Sequence, residues 1–190
     1  MTEAALSLPR LQAREYLELE RQASNKHEFA DGIMYAMAGA GRNHNLIVTD
    51  IVGAFLARLK APCQIFGADM KVQVRANAAE HYFYPDAHVS CSDLDNAELF
   101  NSQPILIVEV ASESTEYYDR GEKFGFYRLL PSLQEYVIVQ QVTPLIEVFR
   151  RRTTWQPEAY RMTDTVRFES VELSVPVSAF YARVNFGPQA

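Results

Sequence analysis

The chain reads as an α/β protein built on a mixed β-sheet flanked by helices, and three features predict this. Ile105 to Val110 and Glu135 to Val139 form two short, mainly apolar runs on either side of a helical stretch from about Glu116 to Leu130. A strand-helix-strand unit of that length calls for a parallel pair and a right-handed crossover. Asp31-Gly32 lies between two short alternating runs, a strong hairpin signal, so antiparallel pairing is expected near the start of the chain. Leu145 to Arg150, Thr154 to Met162 and Val166 to Leu173 alternate in the same manner, so the sheet cannot be wholly parallel.

The remaining elements follow from local signals. Pro9 to Ala23 predicts an amphipathic helix, with Leu11, Tyr16, Leu17 and Leu19 on or near one face. Glu28 falls on the first hairpin strand, where parity alone reads it as facing solvent. Asn43 is placed to cap a helix running to about Lys60, whose Leu46, Ile47, Ile51, Val52, Phe55, Leu56 and Leu59 recur at helical spacing. Pro62 ends it. Cys63 to Phe66 and Asp69 to Arg75 read as strands, Asn77 to Glu80 as a turn, and His81 to Val89 as one strand in which Pro85 forces a bulge or an edge and re-aims Asp86. Ser92 to Gln103 is polar and loop-like, and Val177 to Arg183 looks like a short closing helix.

Composition sets the outer bounds. Among 190 residues, 48% are hydrophobic and 22% charged, as in an ordinary globular protein. The opening residues Met1 to Leu6 lack a basic, apolar leader, and no apolar run approaches the length of about 20 residues that spans a bilayer, so a cytoplasmic location and no membrane partner are expected. Cys63 and Cys91 have no metal-knuckle spacing and are expected to be reduced, half-buried thiols. The net charge of −6 argues against a sequence-blind nucleic-acid coat protein. Arginine outnumbers lysine 14 to 4, and the one basic run, Arg150 to Arg152, reads as a solvated strand end.

Glu109 is the residue at odds with its surroundings. A carboxylate inside a buried strand needs a cation, a metal or a hydrogen-bond network, because an unpaired buried charge is strongly unfavourable. One reading is a structural ion pair with an arginine. The other joins Glu109 to Asp86 and Lys123. Hairpin and crossover together bring the end of the Asp86 strand beside the Glu109 strand, where two carboxylates can share a hard divalent cation, with the carbonyl of Val110 and waters completing the oxygen shell. A lysine nearby can orient water or neutralise charge on a phosphate. Asp119, Lys123 and Tyr127 recur every four residues along the following helix, which also admits a simple Asp119–Lys123 surface pair. Zinc is not expected, since His27, His44, His81 and His88 lack paired ligand spacing.

These pieces, with Lys26 to Gly32, His44, Tyr84-Pro85-Asp86, Ile107 to Ser112, Thr115 and Glu135-Tyr136, resemble in order and spacing the PD-(D/E)XK nuclease superfamily, and within it the Uma-two family of restriction endonucleases, also called DUF820. The resemblance spans nearly the whole chain. It implies one restriction-endonuclease-like domain over 1–190, with an N-terminal helix in 1–24, a nuclease core over 25–140 and C-terminal strands and a short helix over 141–190. It further implies a Mg²⁺- or Mn²⁺-dependent DNA endonuclease, working as a homodimer, with Asp86 and Glu109 as metal ligands, Lys123 as catalytic lysine and Glu28 as an additional acid. His44 and Tyr127 would line the cleft. The superfamily pattern wants lysine where this chain has Ala111, so the lysine function would have migrated to Lys123. In so acidic a chain the cleft alone would be positive, through Arg42, Lys71, Arg75, Arg120 and Lys123. Two alternatives stay open: a nuclease-fold binding module without cleavage, in which Lys123 pairs with Asp119, and a hydrolase acting on RNA or a small phosphodiester.

Overall fold

The computed structural model describes residues 10–77 and 79–186. Pro9, the expected start of the first helix, the opening segment Met1 to Leu6, and Ala78 of the expected turn lie outside the described residues. In chain order the elements are α1 (Ala13–Gln22), β1 (His27–Ala30), β2 (Ile33–Ala36), α2 (Arg42–Leu56), β3 (Gln64–Gly67), β4 (Lys71–Ala76), β5 (Ala79–Phe83), β6 (Ala87–Ser90), β7 (Phe100–Asn101), β8 (Pro104–Ala111), α3 (Glu116–Arg120), α4 (Glu122–Tyr127), β9 (Glu135–Gln140), β10 (Leu145–Arg150), β11 (Pro157–Arg161), β12 (Thr165–Phe168), β13 (Leu173–Pro176) and α5 (Val177–Phe180).

The strands form two principal sheets, ordered β2-β1-β5-β4-β7 and β11-β10-β9-β8-β6-β3, with β12-β13 as a separate ribbon. In the six-stranded sheet β8 and β9 run parallel, with Glu109 opposite Ile138, and the other neighbours are antiparallel. The mixed α/β class is therefore as the sequence predicts. Each face of this sheet is buried. Leu106, Val108 and Val110 join Ile47, Ile51 and Phe55 of α2 and the apolar residues of β12, β13 and α5 on one side. On the other, Ile107 and Ala111 pack with Phe124 and Tyr127 of α4 and with Val72, Val74 and Phe83 of the five-stranded sheet. Because strand side chains alternate, Glu109 must point toward α4.

Local chemistry accounts for several boundaries. Asp31 and Gly32 both have positive φ, 49° and 80°, which is the turn a two-residue hairpin requires. A Cβ on Gly32 would lie 2.5 Å from Arg10 Cβ, so conformation and space both demand glycine. The expected helix from Glu116 breaks into α3 and α4 at Gly121, whose ψ of −96° is not helical. Gly41 rather than Asn43 occupies the N-cap of α2.

Larger departures from expectation have tertiary causes. His81 to Val89 is two strands: β5 ends at Phe83 in one sheet, β6 begins at Ala87 in the other, and Tyr84-Pro85-Asp86 is the crossing. Proline lacks the N–H that would carry a ladder through this point. Cys63 and Cys91 are not free thiols but a disulfide, one position beyond the Gln64–Ser90 pair of the antiparallel β3–β6 ladder. Their 28-residue separation hides that register from a reading of spacing alone. Arg150 is not solvated. It is buried among Glu135 (3.0 Å), Glu158 and the Arg167 carbonyl (2.7 Å), while Arg151 donates to the carbonyls of Leu133 (2.6 Å) and Leu130 (2.5 Å). Only Arg152 of the triplet is mostly exposed, and it pairs with Glu169. The polar stretch after Cys91 is pinned by Asp95, whose carboxylate accepts from Ser90 Oγ and from the Ser102 and Gln103 amides. No helix among the described residues is long and apolar enough to cross a membrane.

His88 links the two sheets. It is fully buried on β6, with Nε2 2.9 Å from Asn101 Oδ1 on β7, and burial lowers its pKa from 6.5 to about 4. The unfolded chain therefore takes up this proton first as pH falls. The contribution is complete above about pH 6.5 and is lost between there and about pH 4, amounting to about 3 kcal/mol. Urea unfolding across that window should show the loss, and a His88→Gln variant should show a correspondingly flatter profile.

Candidate active site

The site forms where the crossing from one sheet to the other meets the C-terminal end of β8. Glu109 (β8) and Glu28 (β1) come from different sheets, and Lys123 of α4 lies between them, its Nζ 2.9 Å from Oε1 of each. All three side chains are at most 7% exposed. Lys123 also donates to the Tyr84 carbonyl (3.4 Å), and the Tyr84 amide donates to Glu28 Oε1 (3.2 Å), so the crossing segment is tied into the same cluster. The Tyr127 hydroxyl donates to Glu109 Oε1 (3.2 Å) and the Tyr118 hydroxyl to Glu28 Oε2 (3.4 Å).

Asp86 approaches from the crossing. Its Oδ2 accepts the Val110 amide at 2.7 Å and lies 3.2 Å from His44 Nε2, at the first turn of α2. The strand amide and the imidazole fix one carboxylate oxygen, and Oδ1 takes part in neither contact.

Four carboxylates share this region, Glu28, Asp86, Glu109 and Asp119, against one ammonium and one imidazole. The titration of the groups reflects that excess. Burial pushes Glu109 well above the ordinary carboxylate range; Lys123 opposes this, and Asp119 and Asp86 add to it. Burial likewise raises Asp119, against the pull of Lys123 and of a hydrogen bond from Thr115. For Lys123, burial works against the charge, but Glu109, Glu28 and Asp119 outweigh it and hold the ammonium well above its usual value. His44 is drawn up in the same way: burial lowers it, and the bond and charge of Asp86 more than compensate. The Tyr127 phenol is pushed far up by burial and then by Glu109, so it stays a donor.

This donor set suits a hard divalent cation. Excess buried carboxylate is relieved by a cation, and all the donors are oxygens. Among the described residues no group of three or more His, Cys, Asp or Glu side chains is placed to hold a metal ion. Mg²⁺ asks for less than a cage, one or two carboxylates with waters and substrate oxygens.

The residues predicted from the sequence are thus partly assembled. Asp86, Glu109, Lys123, Glu28, His44 and Tyr127 come together, and Glu28 is buried rather than solvent-facing. The Val110 amide donates to Asp86. Arg42 is exposed at the start of α2, and Lys71 lies with Lys26 and Tyr84. Arg75 pairs with Glu80 (3.1 Å), and Arg120 with Glu116 (2.7 Å) and Glu147, so neither offers a free charge. Asp119 and Tyr118 are additions. Asp119 was visible only as one of three residues, with Lys123 and Tyr127, spaced four apart along the expected helix, and nothing in the sequence singles out Tyr118.

The chain is similar to known proteins. The model of the Uma2 family, described as "Putative restriction endonuclease", matches residues 13–178. The chain belongs to this family. Two Synechocystis proteins (strain PCC 6803) are similar to it: slr1290, 35% identical over 182 residues, covering 94% of this chain and 95% of that one, and sll1609, 36% identical over 145 residues, covering 74% and 81%. A crystal structure described as a putative nuclease belonging to DUF820 from Anabaena variabilis superposes with a TM-score of 0.72 at 16% identity, over 90% of this chain and 98% of that one. At that identity the likeness establishes the fold. As a Uma2 member the chain thus has a nuclease-like fold, the restriction-endonuclease-like class expected from the sequence.

Removing the ammonium would leave two buried carboxylates facing each other. Lys123→Met is expected to destabilise the protein by about 3 kcal/mol at pH 8. The loss should shrink as pH is lowered, because the abandoned carboxyls take up protons. Denaturant unfolding of the variant and the native protein at pH 8 and pH 5.5 measures both.

Proposed function

We propose that this Uma2 protein is a Mg²⁺- or Mn²⁺-dependent DNA endonuclease. The observation that carries the reading is the position of Lys123. The superfamily's lysine position is held by Ala111, yet a lysine from the next helix reaches Glu109 at 2.9 Å. The binding-module alternative calls for an Asp119–Lys123 pair; the ammonium instead bonds Glu28 and Glu109, which favours chemistry.

In this reading Asp86, Glu109 and the Val110 carbonyl would hold the metal, and the reaction is in-line attack of water on a phosphodiester. The bound cation supplies the charge that acidifies a water and stabilises a developing phosphate oxyanion. The rest is done by the chain. Lys123 presents a permanent positive charge beside Glu109, where negative charge grows on the phosphate. Glu28, held by the Tyr84 amide and Tyr118, fixes the ammonium. His44 and the Val110 amide aim Asp86, and Tyr127 aims Glu109. The cluster cuts one strand, so double-strand cleavage calls for a two-fold homodimer with one cluster per strand.

Calorimetric titration with Mn²⁺ tests the metal site without a substrate. Binding is expected in the native protein and should be absent in Asp86→Ala and Glu109→Ala; a native protein that binds no Mn²⁺ at millimolar concentration overturns the proposal. His44→Ala should retain binding but weaken it about 10- to 100-fold, as expected on removing a residue that orients a ligand. Glu109→Ala should abolish cleavage of duplex DNA while the far-ultraviolet dichroism and cooperative melt persist.

A further inference from the structure

The lysine that does not join the carboxylate cluster poses a separate question. Lys71, on β4, is 8% exposed, yet among the described residues no carboxylate lies within 4.0 Å of its ammonium and no acceptor is hydrogen-bonded to it. Of the other cations expected in the cleft, Arg42 is exposed and three are ion-paired: Lys123 with Glu28 and Glu109, Arg75 with Glu80, Arg120 with Glu116 and Glu147. What Lys71 does touch is an aromatic ring. Its Nζ stands 5.0 Å from the centroid of Tyr84, and the Nζ of Lys26 stands 5.4 Å from the same centroid.

Two like charges on one ring repel each other, and the charge of Glu20 offsets that repulsion without making an ion pair to Lys71. The oxygens of Glu20 are engaged by the Tyr84 hydroxyl (2.9 Å), the His27 amide (2.9 Å) and the His27 ring (3.0 Å). Lys26 has Asp69 and the Ala68 carbonyl as partners, on the segment Phe66 to Met70 that lines a recess of about 270 Å³. Burial holds the Lys71 ammonium below the ordinary lysine value; Glu20 opposes this and Lys26 adds to it. A methionine of similar length would fill the same space without that penalty. An ammonium kept under such conditions is poised for an anion from outside the chain.

The location indicates which anion. Tyr84 supplies its ring to the two lysines and its backbone to the carboxylate cluster, donating to Glu28 and accepting from Lys123, and Asp86 is two residues further on. We propose that Lys71, with Lys26 and the Tyr84 ring, binds a backbone phosphate of the nucleic acid beside the one to be cleaved. A lysine ammonium, a compact charge with three donors, suits a phosphate oxygen. This inference rests on the nuclease reading above.

The test is binding of a short fluorescent DNA duplex without divalent metal, followed by anisotropy over a series of NaCl concentrations, together with thermal melts. Lys71→Met is compared with the native protein and with Lys60→Met, an exposed lysine outside the site. The expected result is a slope of log affinity against log salt reduced by about one for Lys71→Met and unchanged for Lys60→Met, with a melting temperature equal to or above the native one. A native slope in Lys71→Met, with native and variant proteins responding alike to inorganic phosphate, overturns the proposal and makes Lys71 a packing residue. If inorganic phosphate raises the melting temperature of the native protein but not of Lys71→Met, and the duplex slope is unchanged, the site takes a free anion and the nucleic-acid assignment falls. A native protein that shows no salt-dependent duplex binding, while still binding Mn²⁺, overturns the DNA reading and this inference together but leaves the metal centre standing.

Discussion

The Lys123 ammonium is the point on which the rest of the structure turns. It stands at equal distance from a carboxylate of each principal sheet, Glu109 of the six-stranded sheet and Glu28 of the five-stranded one, and it reaches them from a helix that packs between the two. Buried ion pairs are weak evidence of stability, because desolvation offsets much of the attraction. Here a single cation faces several acids, so desolvation is not the whole imbalance. Such an arrangement is poorly designed for stability and well designed for holding a further positive charge, which is the pattern expected of a catalytic centre.

Geometry supplies what charge alone cannot. The alternation of β8 sends Glu109 toward α4 while its neighbours Val108 and Val110 fill the opposite core. The β8 backbone itself serves the site, since the Val110 amide holds Asp86. The helix breaks at Gly121, between Asp119 and Lys123, and the two side chains are both buried without forming an ion pair with each other. A straight helix would favour that pairing and draw the ammonium away from Glu109.

Much of this was legible in the sequence because the informative signals are local. The oddity of a carboxylate in an apolar run exposed Glu109, the proline before Asp86 marked a break in the strand, and periodicity gave the parallel β8–β9 pair. What escaped depends on contacts between distant segments. Glu28 lies on a short strand whose parity says nothing of a second sheet behind it. The splitting of His81 to Val89 between two sheets, the opposition of Cys63 and Cys91, and the burial of Arg150 among Glu135 and Glu158 all follow from strand register, which no window of a few residues contains. The same limit explains why Lys71 was grouped with the cleft cations: only the folded chain shows that Lys123, Arg75 and Arg120 are ion-paired, that Arg42 is exposed, and that Lys71 is buried without an ion pair.

The crossing at Tyr84 to Asp86 ties the centre to the order in which the chain is made. Glu28 and β5 leave the ribosome well before β8, and Lys123 follows later still, so no nascent fragment ending before α4 contains the whole set. Strand β9, which pairs with β8, comes later again. A nascent chain ending before α4 therefore carries Glu28, Asp86 and Glu109 without the ammonium that stands between Glu28 and Glu109.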